Sequence, residues 1–263
     1  MVHPVSLRIA KFGQRENQMR IATIGIIIFA IAVIMTMTGR GGGNFYVLVL
    51  VAAGQTMHQA ATSAQFILMI TAFASMLIFQ KNKTVDWKLA LVIDPPTDIM
   101  AFVGGYFSSY TSNASLKLLL AGLLLVAGFL MIMKIKEHPI HTGKKLGYWH
   151  RNFQGQNYVV NLWYTIPITA LAGLAAGAVG ISCGSFKVPL MVLLCGVPIR
   201  IAVGTSSAMV AATAIMGFMG HAAQGHFDPQ GAIPFAVIAV LGGLMGSTFA
   251  LKTKPEKLKQ VFA

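Results

Sequence analysis

Charge is what this sequence has least of. Asp, Glu, Lys and Arg make up 10% of its 263 residues, against about 25% in soluble globular domains, and only 7 residues are acidic. Such a chain cannot cover itself with a water-facing surface. Cysteine is as scarce. Cys183 and Cys195 are the two, both in apolar surroundings and at a spacing that suits no metal site; they read as buried, reduced small residues. No Ser-His-Asp order, zinc pattern or phosphate loop stands out, so neither an enzymatic activity nor a metal or cofactor is expected. GRGGGNF (39–45) looks like a dinucleotide loop, but no strand precedes it and no acid follows at the required distance. The short alternating segments of a membrane barrel are missing as well.

What is present is apolar. Hydrophobic residues make up 56% of the chain and the mean hydropathy is +0.70. The expected fold is an all-α integral membrane protein, a polytopic bundle, because a helix of about 20 apolar residues is what satisfies its own backbone in lipid. The lipid bilayer is the expected partner. The net charge of +13 does not point to nucleic acid, since the Lys and Arg residues lie beside apolar runs, as the positive-inside rule requires. Residues 1–20 read as a basic amphipathic arm, with Leu7, Ile9, Phe12 and Met19 suited to an anionic leaflet. The run 21–38 is too long for a signal core and is not followed by a cleavage site, so it reads as a retained span. Further spans are expected at 61–79, 89–106, 116–133, 162–179, 202–220 and 233–250. Short apolar stretches at 45–57 and 186–197 follow glycine-rich breaks and are candidates for broken or re-entrant helices. Residues 134–160, with five Lys and Arg residues, three histidines and several aromatics, read as a polar, basic, interfacial linker. The histidine spacing matches no metal motif.

The second half repeats the first at an offset near 142. GRGGGNFYV (39–47) aligns with GISCGSFKV (180–188), Ala61-Thr62-Ser63 with Gly204-Thr205-Ser206, Val85-Asp86-Trp87 with Phe227-Asp228-Pro229, Gly104 with Gly246, and Leu116-Lys117 with Leu258-Lys259. The expected organisation is a first transmembrane repeat over 21–133 and a second over 161–263. The counterpart of the 116–133 span would start near Leu258, so a last helix is expected to be missing. Charges on equivalent turns swap: Lys81, Lys83 and Lys88 face no Lys or Arg at 221–228, while 106–115 has none against Lys252, Lys254, Lys257 and Lys259. By the positive-inside rule the halves are then inverted, an arrangement typical of secondary transporters. The basic arm dissents. It falls outside if both short segments cross fully, and two re-entrant segments are expected to make the halves parallel.

A glycine break in a membrane frees backbone groups, and such breaks occur where the backbone lines a cavity. The following helix N-terminus adds N–H donors and partial positive charge, which together favour anions. The breaks supply Gly39, Gly41, Gly42, Gly43 and Asn44 on one side, and Gly180, Ser182, Cys183, Gly184 and Ser185 on the other, with Lys187 just beyond. Two such breaks facing each other would suit a small oxyanion. Scattered glycines such as Gly173 and Gly177 read as packing positions instead. Lys187 is an intramembrane cation or a snorkelling side chain, and both readings stay open. Thr62, Ser63, Thr205 and Ser206 are expected to open the next spans, as caps or as substrate hydroxyls. Asp94 and Asp98, four residues apart, are candidates for a proton or cation relay, although Pro95-Pro96 could instead mark a helix start. His58 and His221 lie near span ends and are further coupling candidates.

The run GxSCGSFxVPLMV…GVP…AVGTSS, then GH…GHFD and GGxxG, resembles the TauE/SafE sulfite exporter family, also called the four-toluene-sulfonate uptake permease family. The likeness covers about residues 20–260. It is weaker in the first half, where Leu48 stands at the proline position and Ala61 replaces a glycine, and Ser182 and Cys183 stand where many members have glycine. The resemblance implies a plasma-membrane transporter of small sulfur-containing anions such as sulfite or organosulfonates, with no enzymatic step. A passive anion channel and a non-transporting membrane scaffold are the alternatives, and a homo-oligomer stays open.

Overall fold

The computed structural model describes residues 4–132 and 146–254, with only the backbone described for 4–17 and 131–132. Among them are nine α-helices and one β-hairpin: α1 (Pro4–Met37), α2 (Gly43–Ala52), α3 (Met57–Lys81), α4 (Trp87–Phe107), α5 (Asn113–Ile132), β1 (Tyr148–Phe153), β2 (Gln156–Asn161), α6 (Leu162–Val179), α7 (Gly184–Leu193), α8 (Ile199–Ala222) and α9 (Pro229–Lys252). Six of the helices are long and apolar enough to cross a membrane: α1 over Gln18–Met37, α3, α5 over Asn113–Leu130, α6, α8 and α9. α4 has the length, but Asp94, Asp98 and two prolines lower its hydropathy. Its polar face is turned inward, with Asp94 and Thr97 buried while Leu91 and Ile99 are exposed. Pro95 and Pro96 lie inside α4 and do not start it.

α3 and α8 form the centre. They pack on each other, α9 packs on α3 and α1, and α4 packs on α8 and α6. α8 buries 78% of its most apolar stretch and α5 only 17%, so α5 lies at the rim. Leu118, Leu125 and Phe129 of α5, with Leu171 and Val237, stand more than half exposed, as lipid-facing side chains do. Glycine sets the close helix pairs. A Cβ on Gly104 would stand 2.1 Å from the Leu174 carbonyl oxygen, and one on Gly246 would stand 2.2 Å from that of Val33. Gly173 and Gly177 likewise abut the α4 backbone at Thr97 and Ala101, which is the packing role expected of them.

Hydrogen bonds show which helix ends lie together. The Met57 N–H donates to Asn113 Oδ1 at 3.1 Å, joining the starts of α3 and α5. Gly204 abuts Thr84 and the Asp86 N–H donates to Thr205 Oγ1 at 3.0 Å, joining the start of α8 to that of α4. Arg200 Nη2 donates to the Thr253 oxygen at 2.9 Å, placing the end of α9 there too.

Three expectations change. α1 runs unbroken from Pro4 to Met37, so no separate arm ends at residue 20. The fold is not all-α: part of the 134–160 linker is a hairpin, Tyr148–Phe153 paired antiparallel with Gln156–Asn161. Gln154 and Gly155, both at positive φ, form its two-residue turn, the geometry that matches strand twist. Residues 134–145 of the linker, with residue 133 before them, and the tail beyond 254 with Leu258 and Lys259 lie outside the described residues. Finally, α3 and α8 begin at Met57 and Ile199, several residues before Thr62 and Thr205, which are therefore interior residues and not caps. Thr56 caps α3 in a reciprocal box with Gln59.

Candidate functional site

The two glycine breaks meet inside the bundle. α1 ends at Met37, and the chain passes through Gly39, Gly41 and Gly42 at φ of 72°, 72° and 91° before α2 starts at Gly43. α6 ends at Val179, and Gly180, at φ 79°, turns the chain toward α7 at Gly184. These left-handed conformations suit glycine and strain other residues. The approach is close. A Cβ on Gly43 would stand 2.9 Å from Ser182 N, and one on Gly184 2.8 Å from Arg40 Cα. Asn44 joins the breaks, donating from Nδ2 to Ser185 Oγ at 3.0 Å and accepting the Ser182 N–H at Oδ1 at 3.0 Å. Ser182 Oγ donates to the Arg40 carbonyl and accepts from Gly184 N–H at 3.1 Å. Ser206 Oγ donates to the Gly39 carbonyl at 2.7 Å. The free Cys183 thiol is buried at the N-cap of α7.

α2 and α7 start without a side-chain cap, whereas α3, α4, α6 and α9 are capped by Thr56, Asp86, Asn161 and Asp228. α8, behind Pro198, also has no side-chain cap. Three residues overlooked in the sequence complete the picture. Arg40, in the first break, is 2% exposed and heads the largest fully buried side chains. It is the one Asp, Glu, Lys or Arg between Arg20 and Lys81, which was the available signal. Gln65 Nε2 donates to the Ile181 carbonyl at 3.4 Å, while its Oε1 is buried without a partner. Ser63 Oγ is buried and unpartnered as well, next to Thr62 on the turn of α3 where Ala61 touches Gly180. The third is Thr213, described next.

Lys187 does not snorkel. It is 1% exposed, and its Nζ donates to Asp94 Oδ1 and, at 2.7 Å, to Thr213 Oγ1. Thr213 Oγ1 lies 2.7 Å from Asp98 Oδ1, 2.8 Å from the Met209 carbonyl and 3.4 Å from Asp94 Oδ1. α4, α7 and α8 thus assemble one cation, two carboxyls and a hydroxyl in the interior.

Other candidates are elsewhere. Thr62 Oγ1 donates to the His58 carbonyl at 2.8 Å. Thr205 accepts from Asp86 N–H, toward the opposite end of the bundle from His58. His58 stacks on His226 with ring centroids 5.1 Å apart. His221 is buried, with Nε2 2.7 Å from the Gly177 carbonyl and Nδ1 3.1 Å from Ser108 Oγ, which makes it a tie between α8, α6 and the end of α4. No cluster of three metal-ligating side chains occurs among the described residues.

The hairpin is fastened to the bundle through Asp86. Arg151 donates to both carboxylate oxygens, from Nε at 2.9 Å and Nη2 at 3.0 Å, Tyr158 donates its hydroxyl, and the Lys88 and Leu89 N–H groups add two cap bonds. Burial pushes the Asp86 carboxyl up, but the bonds from Arg151, Tyr158 and Leu89 outweigh it and hold it below the usual carboxylate range. The Asp86 hydrogen bond in turn holds the Arg151 guanidinium above its ordinary value. Tyr158 and Val160 of the hairpin pack in one apolar cluster with Val188, Met191 and Val197, which covers this end of α7.

The sequence profile of the sulfite exporter TauE/SafE family matches residues 24–263. The chain belongs to the TauE/SafE family. It is 26% identical over 211 residues to the probable membrane transporter protein YunE of Bacillus subtilis (strain 168), covering 78% of this chain and 77% of that protein. It is 21% identical over 229 residues to the probable membrane transporter protein YdhB of the same strain, covering 85% and 88%. A probable membrane transporter protein of Xylella fastidiosa (strain 9a5c) is 31% identical over 105 residues, 40% of each chain. No solved structure matches significantly. This TauE/SafE protein is a multi-pass membrane transporter.

Proposed function

We propose that this TauE/SafE transporter is a secondary carrier of the plasma membrane that moves a small sulfur-containing oxyanion, such as sulfite or an organosulfonate, held between the two glycine breaks. The observation that carries the reading is Arg40, a cation buried where two helix starts converge whose N-cap residues, Gly42 and Cys183, give no side-chain cap. In a low-dielectric interior a guanidinium attracts an anion far more strongly than it does in water, which favours an anionic ligand beside Arg40. Helix N-termini favour the same ligand, and the unpartnered Ser63 hydroxyl is a further donor. Asn44, Ser182 and Ser185 supply a polar wall. Gly39, Gly43, Gly180 and Gly184 let another stretch of backbone approach, while Gly41 and Gly42 make room for side chains of α1, α2, α3 and α8.

The architecture behind the site reads as two inverted repeats. Exchanging α1 with α6, α2 with α7, α3 with α8 and α4 with α9 turns the α4–α6 packing into α9–α1 and the α4–α8 packing into α9–α3, and leaves α3–α8 as itself. Gly104 and Gly246 exchange with their contacts. Both short helices read as re-entrant. α6 and α8 start beside Asp86, so the break and α7 between them double back. Met19 and Arg20 of α1 share a groove with Ala52 and Ala53 at the end of α2, so α2 doubles back likewise. Three full crossings, α3, α4 and α5, then separate the two starts, which makes the halves inverted and not parallel as a simple count of segments implied. The face carrying Lys81, Lys83, Lys88, Arg151, Arg200, Lys252 and Lys254 is the cytoplasmic one by the positive-inside rule. The start of α1 is the exception, at the other face.

Counterflow of labelled sulfite and labelled methanesulfonate in proteoliposomes tests the site. Saturable exchange is expected in the wild type, and a loss of about tenfold or more in Arg40→Met and in Ser185→Leu, since one charge-assisted bond in a dry site contributes more than 1.4 kcal/mol. Absence of exchange in the wild type, or wild-type rates in both variants, contradicts the reading.

A further inference from the structure

The breaks account for the anion but leave the neighbouring ionic cluster without a task. We propose that Asp94, Asp98, Thr213 and Lys187 form a proton-binding site, and that its proton moves in the same direction as the anion. The step rests on the anion reading above and adds the coupling ion to it.

The titratable groups facing the cluster are Asp94 and Asp98 from α4 and Lys187 with the Cys183 thiol from the start of α7, while α8 offers the neutral Thr213 hydroxyl. With both acids ionised, one cation faces two carboxylates and the cluster carries one uncompensated negative charge. Lys187 and Ser185 share the first turn of α7, so that charge lies beside the wall proposed for the anion. In a dry interior like charges interact strongly. Anion binding is then opposed while the extra charge stands and relieved when one proton enters. A monoanion and one proton together add no net charge to the interior.

Hydrogen-bond geometry shows where the proton is held. Thr213 has one hydroxyl hydrogen, and it accepts from Lys187 Nζ. Three acceptors stand within reach of that hydrogen: Asp98 Oδ1 at 2.7 Å, the Met209 carbonyl at 2.8 Å and, farther off and already engaged by Lys187, Asp94 Oδ1 at 3.4 Å. With Asp98 ionised, Thr213 donates to the carboxylate. With Asp98 protonated, the acid donates to Thr213 Oγ1 and Thr213 donates to Met209. Each state satisfies the groups it uses, and the two differ by one hydroxyl rotation. Asp94 is buried and pinned by Lys187, whereas Asp98 is only partly buried, so Asp98 is the carboxyl freer to take up the proton. A purely structural ion pair would have needed one carboxylate, not two.

Two readouts on the reconstituted protein test this. The first needs no substrate: difference infrared spectra of the carboxylic-acid C=O band during a pH titration. A titrating band is expected in the wild type and its loss in Asp98→Asn, with the fold checked by size-exclusion profile. The second uses labelled methanesulfonate, whose charge does not change with pH. An inward proton gradient under clamped membrane voltage is expected to raise wild-type uptake about tenfold, within the ordinary range of coupling between two sites, and the pH dependence is expected to flatten in Asp98→Asn. A band unchanged in Asp98→Asn overturns the proton site whatever the anion does. A lost band with pH-indifferent wild-type uptake overturns the coupling. A wild type that moves neither sulfite nor methanesulfonate rejects the anion reading, while the band still decides the proton site.

Discussion

α2 and α7 are both ten residues long, both follow a glycine break and both start without a side-chain cap, yet they bury different chemistry within their first turn. α2 buries Tyr46 and α7 buries Lys187. Around Lys187 stand Asp94, Asp98 and Thr213. Tyr46 lies against Gly42 and joins the apolar cluster with Ile28, Val47 and Leu50. The charge of the first break comes from Arg40, within the break itself and not from the helix after it. Both sides place a glycine break before a ten-residue helix, but three glycines at positive φ turn the first break and one turns the second, and the buried charge lies in the break on one side and in the helix on the other.

The sharpest way to break the comparison is to remove the ion pair from one side only. Lys187→Met leaves Asp94 buried without its partner and is expected to cost about 3–5 kcal/mol of stability, read as a fall in thermal midpoint in detergent. Adding Asp94→Asn is expected to recover most of it. Tyr46→Phe removes a hydroxyl and no charge, and is expected to cost about 1 kcal/mol or less. Equal losses in the two single variants would mean that Lys187 is not paired as described.

A smaller effect is expected at the hairpin. Arg151→Ala removes two bonds to Asp86. Because Arg151 is partly exposed and therefore screened, the expected cost is about 1–2 kcal/mol, seen as faster amide exchange in β1 and β2. The pH dependence has a definite sign. The folded Asp86 carboxyl sits below its unfolded value of about 3.9, so its stabilisation is fully present above that pH and is lost as the pH falls through the folded value. Asp86→Asn is expected to remove that acid-side loss. A hairpin that loosened instead as the pH rose would contradict the assignment.

Much of this was legible in sequence because the signals were local. Glycine, serine and asparagine in an apolar chain marked both breaks, and Gly104 and Gly246 each sit at a close helix contact. The errors were also local in part. Thr56 with Gln59 spelled a capping box one turn before Thr62, and Arg40 stood alone among apolar residues, a stronger functional signal than its glycine neighbours. The hairpin escaped because its aromatic and basic strands look like an interfacial linker, and only Gly155 hints at the turn. The pairs Asp86–Arg151 and Asp94–Lys187 join residues 65 and 93 apart. No periodicity encodes such pairs, because they arise where the hairpin meets the start of α4 and where α7 meets its middle.

The central claim is that the two breaks form one oxyanion site. Selenite is a heavier analogue of sulfite, and anomalous scattering from selenium locates it without ambiguity. In crystals of the protein equilibrated with selenite, one strong anomalous peak is expected between Asn44, Ser182 and Ser185, within reach of Arg40. Peaks confined to surface Lys and Arg residues, with none at the breaks, would contradict the account.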